Sequence, residues 1–210
     1  MELNQNKSEY LCYNGPIGNG EKHNHLKLKI AVSGAAETGT CGAHAFESSK
    51  ELGREIIRQG GVLLNGATTG FPLWAAMGAK EEKGVCIGLS PAASEHEHVE
   101  TYRLPVDYLD LIIYTGFGYP GRDLLLVRSS DALIVGCGRV GTIHEFTIAF
   151  EDTKPIGILE GEWNTSQTIK DILERSNRPH DHVIFDSDPA NLVKRILVMV
   201  EKYKKNIKTI

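Results

Sequence analysis

Short apolar segments alternate with amphipathic segments along most of this chain, and this alternation restricts the fold more than any other feature. Seven segments read as strands, from Leu28–Val32 to Val183–Phe185, and most of them are followed by an apolar face at helical spacing. The pattern predicts an α/β, Rossmann-like, doubly wound fold. We expect a mostly parallel sheet of about 6–7 strands with helices on both faces.

The composition suits one domain with a sizeable core, because the chain has 210 residues and 41% of them are hydrophobic. Residues 1–26 are polar and predict an N-terminal arm, whereas residues 27–210 predict a single Rossmann-like domain. The formal net charge of -4 does not favour nucleic acid as a partner. No signal peptide is visible and no apolar run is long enough to cross a bilayer, so no membrane association is expected.

The cysteines and histidines show no spacing typical of a metal site. Cys12, Cys41, Cys86 and Cys137 are scattered, without a C-x-x-C pair. We therefore expect neither a disulfide framework nor a structural zinc site, and a reducing cytoplasm is the simplest location. The histidine pairs lie in loops without matching ligands, so no metal site is predicted.

The segment Ser130–Glu145 combines an apolar strand, a glycine-rich turn and the start of a helix. Such a junction places free backbone N–H groups and the positive end of a helix beside an anion, typically a phosphate. Gly138, Gly141 and Thr142 are the candidate phosphate-binding residues, and Arg139 lies inside the turn, where it can project into the site. The alternative is a tight turn that any strand-to-helix connection needs.

Glu145 lies one helical turn beyond the glycines and is a candidate catalytic carboxylate. Thr142 and Glu145 also match a capping box, in which an N-cap hydroxyl and a carboxylate three residues later satisfy backbone N–H groups. The two roles separate by substitution, because glutamine can cap a helix but cannot act as a base.

Arg122 opens a helix predicted over about residues 122–128, and its guanidinium can hold a phosphate or a carboxylate at two points. A surface arginine is the alternative. Asp123 reads most simply as an acid favoured by the helix dipole. His144 can give a proton to a leaving base, or it can occupy an ordinary packed position.

The loops after the first two strands should join the same site, because ligands of such sheets bind beyond the carboxyl ends of the strands. Gly34 follows the first strand, and Gly66, Thr68, Thr69 and Gly70 follow the second. They are candidates for contact with ribose or phosphate, although a simple turn accounts for them equally well.

The residues Arg122-Asp123, Ser130-Asp131-Ala132 and Gly138–Glu145 resemble the signature of the LOG family, whose members were once misnamed lysine decarboxylases. The family pattern is an arginine, then S-D-A, then P-G-G-x-G-T-x-x-E. The resemblance covers about residues 27–200. Molybdenum cofactor carrier proteins are similar in the same region.

The resemblance implies a homodimer or higher homo-oligomer that binds a nucleotide. Its enzymatic members cleave the N-glycosidic bond of nucleoside 5′-monophosphates to free base and ribose 5-phosphate, with no cofactor required. Carried over, Arg122 and Glu145 are the catalytic pair, and Gly138, Gly141 and Thr142 hold the phosphate.

Three departures from the family pattern keep a second hypothesis open. Cys137-Gly138-Arg139 replaces P-G-G, Asp123 replaces the usual lysine, and Gly66-Ala67 replaces Gly-Gly. The first hypothesis is a phosphoribohydrolase with a nucleoside monophosphate as ligand. The alternative is a carrier that binds a nucleotide or the molybdenum cofactor without turnover.

Overall fold

The computed structural model describes residues 26–207, which form one sheet and the helices that cover it. The strands are β1 Lys29–Ser33, β2 Val62–Asn65, β3 Cys86–Ser90, β4 Leu111–Tyr114, β5 Ala132–Val135, β6 Ile156–Leu159 and β7 Val183–Asp186. The helices are α1 Ala45–Arg58, α2 Phe71–Glu81, α3 Gly118–Ser129, α4 Val140–Glu151, α5 Thr165–Ser176 and α6 Pro189–Ile207, with a π-helical turn at Glu97–Thr101. The predicted N-terminal arm, except Leu26, lies outside the described residues.

All seven strands are parallel, in the order β4-β3-β2-β1-β5-β6-β7. The chain runs outward from β1 to the edge strand β4, and α3 then leads it back to β5 on the other side of β1. This reversal is the switch point at which ligands of doubly wound sheets bind. The predicted fold class is therefore confirmed.

The strands are apolar because both faces of the sheet are covered by helices. Ile30 and Val32 of β1 pack into the core shared with α1, α2 and α6, whereas Ala31 packs into the core shared with α3, α4 and α5. Phe71 and Phe146 are among the largest fully buried side chains, one in each core. The two cores hold the carboxyl edge of the sheet in place.

Two helices near the glycine-rich turn begin earlier than the sequence suggests. Helix α3 begins at Gly118 rather than near Arg122, because Pro120 is tolerated in the first turn of a helix. Helix α4 begins at Val140 rather than at Thr142. Arg122 and Glu145 therefore lie four and two residues deeper in their helices than predicted. Among residues 26–207, no helix is long and apolar enough to cross a membrane.

Candidate active site

A cavity of about 230 Å³ lies at the carboxyl edge of the sheet, between the ends of β1 and β2 and the first turns of α3 and α4. It is lined by eight of the predicted site residues, Gly34, Gly66, Thr68, Arg122, Arg139, Gly141, Thr142 and Glu145, together with Val32, Ala35, Ala36, Pro72, Tyr119 and Asp123. A larger cavity of about 590 Å³ lies against α6, and none of the predicted residues lines it.

Glu145 is buried in α4, with its carboxylate facing the cavity rather than the start of its own helix. The Ser33 hydroxyl at the end of β1 donates a hydrogen bond to this carboxylate. Burial raises the pKa of Glu145 to about 7, against the opposing charge of Arg122 and with a smaller contribution from nearby Asp123. Glu145 can therefore gain or lose a proton near neutral pH.

The capping-box interpretation of Thr142 and Glu145 is wrong. The N-cap residue of α4 is Arg139, and it makes no side-chain capping hydrogen bond. Because the helix begins at Val140, Thr142 is already inside the first turn. The Glu145 carboxylate accepts its hydrogen bond from Ser33, on a different element.

Arg122 is buried against the loop that follows β2, so the surface-arginine alternative does not hold. Its guanidinium lies over the ring of Tyr119, 5.7 Å from the centroid. A Cβ built on Gly66 would lie 1.3 Å from Nη1 of Arg122, so glycine at this position leaves room for the guanidinium in its present orientation. Nε lies 3.1 Å from Oδ1 of Asp123 but makes no hydrogen bond, which leaves a buried donor in need of an acceptor.

Asp123 occupies the cavity wall rather than a solvated helix start. It is buried, and its Oδ2 lies 2.8 Å from Nδ1 of His144 on α4. The pair therefore links α3 to α4. This contact gives His144 a partner that the sequence did not suggest.

The glycine turn contributes fewer free N–H groups than the motif suggests. The N–H of Gly138 donates to Oγ1 of Thr165 over 2.7 Å, outside the cavity. Gly141 and Thr142 line the cavity at the start of α4, where the first N–H groups of a helix have no partner within the helix. Arg139 lies at the rim, with Nη2 2.8 Å from Oε2 of Glu37.

The loop after β2 is shaped by Asn65, whose side chain accepts from the N–H of Ala67 and donates to the carbonyl of Pro72. Thr69 does not line the cavity, and its hydroxyl donates to the carbonyl of Ala36 over 3.2 Å. Gly70 has a φ of 71°, and a Cβ there would lie 2.3 Å from the carbonyl oxygen of Ala35. Both residues brace the loops around the site.

A disulfide joins Cys41, in the loop after β1, to Cys137, in the turn after β5, so the expectation of no disulfide framework was wrong. Their Cα atoms are 5.5 Å apart, and both residues are buried. The two cysteines are 96 positions apart, so only the fold brings them together. The same two loops are joined by the hydrogen bond from Ala35 N to Cys137 O and by the Glu37–Arg139 ion pair.

A family model described as the SLOG cluster4 family matches residues 27–193. The chain belongs to the SLOG cluster4 family. An uncharacterised protein of Archaeoglobus fulgidus is 31% identical to it over 133 residues, which are 63% of this chain and 82% of that protein.

Two solved structures resemble this SLOG cluster4 chain over nearly their whole length. The molybdenum cofactor binding protein from Rippkaea orientalis is 30% identical, with a TM-score of 0.67, and the match covers 83% of this chain and 98% of that chain. The molybdenum cofactor carrier protein from Chlamydomonas reinhardtii is 26% identical, with a TM-score of 0.68 and coverage of 84% and 99%. The predicted relation to LOG-type and cofactor carrier proteins is confirmed.

The LOG pattern located the glycine turn, Arg122 and Glu145, but it did not indicate the roles of several other residues. Ser33 and Asp123 contact the buried charges, and Tyr119 lies under the guanidinium. Ser33 directly follows an apolar strand, which was the one available signal for a side chain at the carboxyl edge. Nothing in the sequence signalled the Asp123–His144 contact, because it depends on how α3 and α4 pack.

Proposed function

We propose that this chain hydrolyses the N-glycosidic bond of a nucleoside 5′-monophosphate to free base and ribose 5-phosphate. The observation that carries the proposal is the buried Glu145 carboxyl, which shares one cavity with Arg122 and whose pKa is raised by burial to about 7. Acid–base catalysis is most effective when the pKa of the catalytic group lies near the working pH. A site that only binds has no need of such a group.

Arg122 would hold the phosphate in this reaction. Its buried Nε donor has no hydrogen-bond acceptor within the described part of the chain, and a phosphate oxygen would supply one. Gly141 and Thr142 add the free N–H groups and the positive end of α4. Because the cavity of about 230 Å³ is smaller than the ~300 Å³ of a typical ligand pocket, the rest of the nucleotide would extend past its rim.

Glu145 would act on the sugar. As the bond from ribose to base breaks, positive charge develops on the sugar ring, and a carboxylate beside it stabilises that charge. The same carboxylate can accept a proton from the attacking water, whose oxygen bonds to the sugar carbon. The departing base takes up one proton, so the overall reaction consumes one water.

A second candidate function is a carrier of the molybdenum cofactor. The two cofactor-binding proteins that resemble this chain at 30% and 26% identity favour it. The unpartnered Arg122 donor also fits the anionic end of such a cargo. In this case Arg122 and Thr142 would still bind, and Glu145 would have no catalytic step.

The decisive experiment incubates the protein with AMP, CMP, GMP and UMP and measures free base and ribose 5-phosphate. Glu145→Gln should abolish release while it keeps nucleotide binding. Glu151→Gln, at the end of the same helix and exposed, should match the wild type. If no monophosphate is cleaved, and the ligand that co-purifies is the molybdenum cofactor by mass spectrometry, the carrier function replaces the hydrolase.

We also propose that the chain forms a homodimer through the face around β4 and α3. Leu111 and Ile113 of the edge strand, Leu124 and Leu125 of α3, and Phe117, 69% exposed, leave apolar surface uncovered there. Sedimentation velocity would test this: Ile113→Glu with Leu124→Glu should yield monomers, and a wild-type monomer would contradict the proposal.

The cytoplasmic location also stays a prediction, and the disulfide argues against it because such bonds are rare in a reducing compartment.

A further inference from the structure

Three titratable side chains run from the cavity to the surface between α3 and α4. Glu145 lies at the cavity and is buried. Asp123 is next, with a side chain that is 7% exposed, and its carboxyl also interacts with that of Glu145. His144, bonded to Asp123 over 2.8 Å, is 43% exposed. The set therefore connects the buried carboxyl with solvent.

The position of Glu145 makes such a connection useful. Its carboxylate is enclosed by Ser33, Arg122 and Asp123, and a ligand in the cavity would cover the remaining open side. With a pKa of about 7, Glu145 is protonated in part of the molecules at neutral pH, and there it must lose that proton before it can accept one from the attacking water. Imidazole is the side chain that exchanges protons most readily near neutral pH.

We propose that Asp123 and His144 carry protons between Glu145 and solvent while a ligand fills the cavity. Both are positioning residues, because they act through Glu145 and not on the ligand. The inference rests on the proposed hydrolase function. It gives a role to Asp123, which stands where the LOG pattern has a lysine that could not accept a proton from a neighbouring acid.

The path runs from Glu145 to Asp123, which line the same cavity, and from Asp123 along its hydrogen bond with His144. Glu145 passes its proton to one oxygen of the Asp123 carboxylate, so that this carboxyl holds a single proton. The carboxyl then turns to present the proton to Nδ1 of His144, whose ring is protonated on Nε2 alone, and the ring becomes an imidazolium. The imidazolium then releases the proton on Nε2 to water. The reverse sequence reloads Glu145, so protons balance and no other reactant is needed.

The charged and polar groups that face this path come from three elements. Arg122 on α3 faces Glu145 and Asp123, and Ser33 on β1 donates to Glu145. Arg139 at the rim is paired with Glu37. Within the described residues, Arg122 and Ser33 are therefore the groups from other positions that contact the two carboxyls directly.

The test uses His144→Gln, whose amide can still donate to Asp123 but cannot carry a proton. Turnover at neutral pH should fall about 10²-fold, at the lower end of what acid–base catalysis contributes, with KM and melting temperature unchanged. Added imidazole should restore part of the rate. His180→Gln, in an exposed loop, is the matched control. Full activity in His144→Gln, or a loss that imidazole does not rescue, would overturn the relay.

A second measurement separates this inference from the proposed function. The Glu145 carboxyl is followed by ¹³C NMR across pH in the full-length protein without nucleotide, in wild type, Asp123→Asn and His144→Gln. Groups that share protons titrate together, so each substitution should shift the Glu145 curve. Identical curves would refute the relay even if nucleotides are hydrolysed. Shifted curves without hydrolysis would refute the hydrolase and leave the proton path standing.

Discussion

Two clusters of charged side chains contain the same types of group, an arginine among carboxylates, but differ in how completely the arginine is paired. One is buried at the cavity, and the other lies on the surface across α1 and α2. On the exposed surface, Arg54 contacts Glu47, Glu51 and Glu81 at 2.6, 2.8 and 2.7 Å, so its charge is fully paired. In the cavity, Arg122 faces acidic groups but keeps a buried donor without a hydrogen bond.

The difference indicates that the buried cluster costs the folded state free energy that the surface cluster does not. Buried charges lose their hydration, and the mutual attraction of the pair often does not compensate. Exposed pairs avoid that loss but contribute little, because water and salt weaken them. A well-paired network is thus consistent with a structural role, and the incompletely paired one is suited to bind a ligand.

The largest expected effect lies on the cavity side, where the Cys41–Cys137 disulfide closes a long loop. Reduction by a phosphine should lower the free energy of unfolding by about 4–5 kcal/mol, because a loop of 96 residues regains its freedom in the unfolded chain. Urea unfolding with and without reductant measures the change. A Cys41→Ala, Cys137→Ala variant should show no effect of reductant; if the wild type shows none either, the bond is not formed in solution.

The second largest effect on stability is expected for Arg122→Met, which removes the positive charge that faces the buried carboxyls of Asp123 and Glu145. We expect a loss of about 3 kcal/mol at pH 8, since breaking a buried pair leaves its partners uncompensated. Adding Glu145→Gln should recover part of that loss. The control is Arg128→Met on the same helix, where the arginine is exposed, and it should change urea unfolding little. Equal effects of the two arginine substitutions would remove the contrast between the clusters.

The third prediction concerns pH. Glu145 has a pKa of about 7 in the folded protein against 4.5 for an unburied glutamate, so the folded state holds more protons between these values. Its contribution to stability is therefore present at low pH and is lost as pH rises towards 7, by about 3 kcal/mol in all. Glu145→Gln should lack this loss, so its stability relative to wild type should rise between pH 5 and 8. Parallel stability curves for the two proteins would show that the carboxyl is not desolvated.

The smallest effect belongs to the exposed cluster. Arg54→Met should lower the free energy of unfolding by about 1 kcal/mol, and 1 M salt should erase most of the difference. Thermal unfolding at low and high salt measures both. A larger, salt-independent loss would mean that Arg54, only 16% exposed, stabilises mainly by packing.

The fold and the site differed in how far the sequence could predict them. The alternation of apolar segments was enough to predict the strands, because each strand is a short apolar run that can be recognised locally, such as Ala132–Val135. Arg122 and Glu145 could be found from the family pattern. The Cys41–Cys137 bond and the Asp123–His144 contact could not be predicted, because only the packed fold brings the two residues of each pair together. The helix starts at Gly118 and Val140 were missed because neither has a side-chain cap to mark it.

The close approach of Gly66 to Arg122 has a consequence for how relatives should vary. Because a side chain at position 66 would occupy the space of Nη1, a larger residue there is compatible with Arg122 only if the guanidinium moves. Relatives with any larger residue at position 66 should have lost the arginine at position 122 or turned it elsewhere. A sequence comparison of these two columns would therefore separate relatives that keep an anion-binding arginine in this orientation from those that have adopted a different ligand.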